Sequence, residues 1–137
     1  MRGLMPFSNQ AIEDALNSNR DLISPPSSFA FLIALRALHK PVLVITASSK
    51  AAEDLAKEIH ELHSDTLEFP AWETLPHERL SPSSDTVAKR ISALHALKNK
   101  EKNWVVVAPI RAVIHKFNAQ IINTQPIVLE RGLELDL

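Results

Sequence analysis

Three groupings of side chains in this 137-residue sequence have types that could do chemistry. His60 and His63 lie one helical turn apart, close enough to share a metal ion. A zinc site takes three or four converging ligands, however, and no second pair at ligand spacing follows, so both are expected as surface histidines. His77, Ser81, Ser83, Ser84 and Asp85 contain the members of a nucleophile–base–acid set. They are neighbours in a proline-rich stretch with no strand–turn–helix elbow to present a serine, and they read as loop and helix-cap residues. Glu73, Glu78 and Asp85 could pair carboxylates for acid–base work, although acidic residues just before a helix are favoured by its dipole alone. The chain has no Cys, which removes thiolate ligands, disulfides and cysteine nucleophiles. The expectation is no catalytic residue, no metal and no cofactor. Trp72 stands apart as a large aromatic among polar neighbours, either plugging the edge of a core or forming a contact surface.

A phosphate cradle would be sought where a helix follows the first strand of a parallel sheet, here residues 25–32. The pattern G-x-x-x-x-G-K-[ST] uses glycine for close backbone approach, lysine for the outer phosphates and a hydroxyl for magnesium. The sequence offers Pro25, Pro26, Ser27, Ser28, Phe29, Ala30, Phe31 and Leu32. Hydrocarbon stands at the lysine and hydroxyl positions, and two prolines remove N–H donors. Gly3 and Gly132 are the only glycines, so residues 4–131 contain none from which to build a glycine-rich loop.

The elements that must position these residues alternate between helix and strand periods, which implies a three-layer α/β fold with a mainly parallel sheet. Helices are expected at Ser8–Asn17, Ser27–Leu38, Ser48–His63, Ser83–Leu97 and from Pro109 to Phe117. Strands are expected at Asp21–Ser24, Val42–Thr46, Leu67–Phe69 and Trp104–Ala108. The uninterrupted runs VLVIT and WVVVA suggest strands covered on both faces. The SSFAFLIALRAL helix is apolar almost all round and is expected to be largely buried, with Phe29, Phe31 and Leu32 packing on the sheet. In the Ser83–Leu97 helix the apolar stripe is expected through Val87, Ile91, Leu94 and Leu97. Pro70–Ser83 carries three prolines and reads as a long loop, and loops of that length are often functional. The tail from Ile121 reads as one or two extended segments around Arg131-Gly132.

The composition, 45% hydrophobic and 23% charged, is that of an ordinary globular domain, and no run approaches the roughly 20 apolar residues of a membrane span. The net charge is −1, but residues 79–116 hold eight basic and two acidic side chains. Apart from Trp104 no aromatics are interleaved there for base stacking, so the basic stretch reads as a solvated face and poor duplex affinity is expected.

The stretch FPAWETLPHERLSPSSDTVAKRISALHAL (Phe69–Leu97), with KPVLVIT at 40–46 and VVVAPIRAVIHKF at 105–117, resembles the N-terminal domain of bacterial transcription-repair coupling factors, the Mfd family. That domain is similar to the first domain of the excinuclease subunit UvrB, whose pattern shares the P-S-S-D-T found here at Pro82–Thr86. The resemblance implies a RecA-like half-domain with a degenerate P-loop. It implies a UvrB-like domain over residues 1–120, with 121–137 as a tail or as the start of a second, UvrA-contacting domain. Family members are long ATP-dependent DNA translocases that displace stalled RNA polymerase and recruit UvrA, so UvrA, RNA polymerase and DNA are the partners implied for a full-length protein, in a bacterial cytoplasm. UvrB builds a tyrosine-rich lesion-probing hairpin just before P-S-S-D-T, whereas this chain has no Tyr, so damage insertion is not implied.

The function expected is a non-catalytic scaffold or regulatory module whose contacts are with neighbouring domains and not with a membrane. Trp72, Glu73, His77 and Arg79 are the candidate contact residues. The alternatives are a stand-alone protein-binding regulator and a nucleotide-dependent enzyme with an unorthodox phosphate site. The chain stops where the second domain would begin, so it is expected to be either a piece of a longer protein or an unusually short one.

Overall fold

The computed structural model describes residues 10–18, 21–73, 81–98 and 102–116. Three parallel strands, β1 (Val42–Thr46), β2 (Thr66–Glu68) and β3 (Val105–Pro109), lie in the order β1-β3-β2. Val42 stands beside Val105 and Thr46 beside Pro109, while Thr66 through Glu68 match Val105 through Val107 on the other side. β3 is buried along its whole length, as a continuous β-branched run requires.

Strand side chains alternate between faces, and the two faces of β3 nucleate two cores. Val105 and Val107 meet Ala30 and Ala37 of α2 (Phe29–Ala37) and Ala52, Ala56 and Ile59 of α3 (Ser49–Leu62). On the opposite face Val106 and Ala108 meet Ala93 and Leu94 of α4 (Ser84–Ala96) and Ala112 of α5 (Ile110–Ile114), together with Phe69 and Ala71. This gives the expected three layers. A first helix, α1 (Gln10–Asn17), is tied to α2 by the Arg36 guanidinium, whose Nη1 donates to Asn17 Oδ1 at 2.8 Å.

Both long helices start on a serine in extended conformation whose Oγ accepts from the third residue on: Ser48 from Ala51 N and Ser83 from Thr86 N, each at 3.2 Å. This satisfies one of the orphan donors of the first turn. At the other end of the sheet the connections are pinned to one another. Asn103 Nδ2 donates to Leu38 O, Thr66 Oγ1 donates to His63 O, and Lys102 Nζ lies 2.7 Å from Asp65 Oδ1.

Several expectations are corrected. Asp21–Ser24 forms no strand: Leu22 is 46% and Ile23 fully exposed, because no described neighbour offers a ladder to this four-residue run. Among the described residues β1 is an edge strand covered on one face only, with Leu43 59% and Ile45 50% exposed; an apolar run does not reveal whether both of its faces are covered. In α2 the buried face is Ala30, Ala34, Leu35 and Ala37, while Phe29 is exposed and Phe31 and Leu32 are half-buried. Small side chains let α2 approach α3 and β3 closely and leave the larger ones at the margin. In α4 the buried face is Thr86, Arg90, Ala93 and Leu94, a stripe turned away from Val87 and Ile91. The helix expected at Ser27–Leu38 begins with a 3-10 turn, Pro26–Ser28, and Pro109 closes β3 before capping α5. The tail from 121 lies outside the described residues, as does the boundary expected at 120.

Ile59 has no exposed surface and sits between the sheet and α2. Ile59→Ala is expected to lower unfolding free energy by about 2–5 kcal/mol, seen as a lower urea midpoint at unchanged slope. Ile114→Ser, at a 68% exposed position, is expected to change it by less than about 0.5 kcal/mol.

Candidate functional site

Of the candidate contact residues, Trp72 and Glu73 sit beyond the carboxyl end of β2, where the chain leaves the sheet at Phe69 and passes over the start of α4. Phe69 N donates to Val107 O at 2.8 Å, extending the ladder by one bond. Arg90, 3% exposed, then organises everything that follows. Its guanidinium lies 4.1 Å from the Phe69 ring centroid and 4.3 Å from that of Trp72, and Nη1 donates to Pro70 O at 2.6 Å. A planar cation between two ring faces gains from both quadrupoles, most strongly where water is excluded. Burial lowers its pKa from the ordinary arginine value, yet the group stays charged. Nη2 is buried and makes no hydrogen bond. Trp72 is half-buried and plugs the edge of the core through this stack.

Glu73, the next residue, is exposed but held. Its Oε2 accepts from Ser83 N at 3.0 Å, and Oε1 accepts from Ser83 Oγ at 2.7 Å and from Thr86 Oγ1 at 2.5 Å. These donors favour the ionised form and hold the carboxyl below its ordinary 4.5, the Thr86 hydroxyl contributing most, then the Ser83 amide, then the Ser83 hydroxyl. A negative charge also suits the start of α4. The arrangement is a staple joining the W-E pair of the loop to Ser83 and Thr86 of the P-S-S-D-T sequence. A carboxylate already holding three donors and kept in its ionised form is a poor general acid. Trp72 and Glu73 are therefore brought together against α4, whereas His77 and Arg79 lie outside the described residues.

Sequence reading missed Arg90, because an arginine in an amphipathic helix is ordinarily taken as solvated. The available signal was its register with Thr86, Ala93 and Leu94. Of the basic residues in 79–116 Arg90 alone is buried among the described residues, while Lys89 pairs with Glu68 at 3.2 Å and Lys102 with Asp65 at exposed positions, as a solvated face would have it.

The other candidates are taken up by structure as well. His63 is 4% exposed, with Nε2 2.8 Å from Asn103 O, so it is a buried connector and not the surface histidine expected. Exposed His60 belongs to a shallow hollow with Glu53, Lys57, Glu61 and Glu68. Among the described residues no three His, Asp or Glu side chains converge as metal ligands. At residues 25–28 the turn closes on itself: Ser28 N and Ser28 Oγ both donate to Pro25 O, at 2.9 and 2.7 Å. The Ser28 hydroxyl makes no capping bond to α2. No described helix is long and apolar enough to cross a membrane.

Fold and site together define a small parallel α/β domain whose carboxyl-end segment is fastened inward by an aromatic–arginine stack and a carboxylate staple. No protein-family model matches the chain. The transcription-repair-coupling factors of Mycobacterium bovis and Mycobacterium tuberculosis are each 37% identical to it over 120 residues, 82% of this chain and 10% of theirs. That of Haemophilus influenzae is 35% identical over 75 residues, 54% of this chain and 6% of its own. The chain belongs to the transcription-repair-coupling factor family. It spans about a tenth of the length of the mycobacterial relatives.

Arg90→Lys keeps the charge but not the planar stack, and Arg90→Ala loses both. From typical cation–π and charged hydrogen-bond contributions, Arg90→Ala is expected to cost about 2–4 kcal/mol and Arg90→Lys more than half of that, with Trp72 fluorescence moving toward its solvent-exposed position. Glu73, with its folded pKa below 4.5, contributes stability that is complete above pH 4.5 and fades as pH falls through the folded value. Glu73→Gln is therefore expected to unfold at lower urea than the parent at neutral pH, the gap closing on acidification.

Proposed function

We propose that this chain is a non-catalytic scaffold and regulatory module of a transcription-repair coupling factor, working through contacts with neighbouring domains. The observation that carries this reading is the closed turn at residues 25–28. Anion binding at a helix start needs several backbone N–H groups pointing outward, and here Pro25 and Pro26 have none while Ser28 spends both of its donors on Pro25 O. Phe31 stands at the position where a phosphate-binding lysine would neutralise charge. Holding a polyanion there would leave it without a partner, at a cost of several kcal/mol.

The Arg90 stack and the Glu73 staple support the same reading, because they use the residues of the family-like motif for internal attachment. The result is a stiff surface at the carboxyl end of the sheet on which another domain can rest. By resemblance, the full-length protein would be an ATP-dependent DNA translocase that displaces stalled RNA polymerase and recruits UvrA from a bacterial cytoplasm. Those activities and partners belong to the proposal for the whole, and this domain serves it by structure.

Titration of the chain with ATP and magnesium in a calorimeter is expected to give no binding heat, and phosphate release is expected to match a protein-free control. A dissociation constant in the low micromolar range, or turnover above that control, would replace this reading with that of a nucleotide-dependent enzyme.

A further inference from the structure

We draw no further inference here: the strongest candidate, the exposed apolar patch that Leu43 and Ile45 form on the edge strand β1, carries none because nothing in the structure shows what covers it.

Discussion

Everything described hangs on the burial of one strand. β3 supplies the hydrogen-bond partners of both β1 and β2 and directs Val105 and Val107 into one core and Val106 and Ala108 into the other. With no exposed flank of its own, it demands apolar coverage from both helical layers. The alanines of α2 and α3 meet that demand by allowing close approach, and Phe69, Ala71 and the α4 face meet it from the other side. The loops at the carboxyl end are positioned because the strands beneath them cannot shift register without moving apolar side chains from one core to the other.

The segment after β2 shows how a polar cluster can serve packing. Arg90 brings a full charge beneath the surface, and a lone buried cation would be unfavourable. Two aromatic faces and the Pro70 carbonyl offset the loss of water, and Glu73 fastens the next turn of chain to the start of α4. The residues that look most like chemistry in the sequence thus hold one another in place. A carboxylate staple and a stacked cation fasten this face to the domain beneath it, which suits the scaffold role proposed above.

The layered α/β architecture was legible because strand and helix periods alternate cleanly. β1 falls on the run Val42–Thr46, α3 within one residue of its expected ends, and β3 one residue later than expected. The misreadings share a physical origin. Asp21–Ser24 has the composition of a strand, but strand formation depends on a neighbour that local sequence does not reveal. VLVIT reads as a strand covered on both faces because apolar runs look alike whether a second layer covers them or not. Arg90, His63 and the α4 stripe were misplaced for a related reason: the partner that makes burial of a polar side chain acceptable is far away in sequence. Asn103 lies 40 residues from His63, and Pro70 lies 20 from Arg90. For the candidate site, Trp72 stands out in the sequence, and its plugging of a core edge is one of the two readings open there. The Arg90 that stacks on it and the bonds from Glu73 to Ser83 and Thr86 are not legible.

The strand at the centre of the sheet is also the last of the three to leave the ribosome. β1 and β2 bond to β3 and not to each other, so during synthesis neither finds its ladder until the chain has grown to about Pro109. Before that point α3 can form, yet the apolar faces of β1 and β2 have only helix to rest on. Non-local pairing of this kind slows folding and leaves strand edges open in the meantime. The nascent domain therefore passes through a stage in which two thirds of its sheet is synthesised and unpaired, and a pause in translation before Val105 would prolong the stage at which chaperones have most to cover.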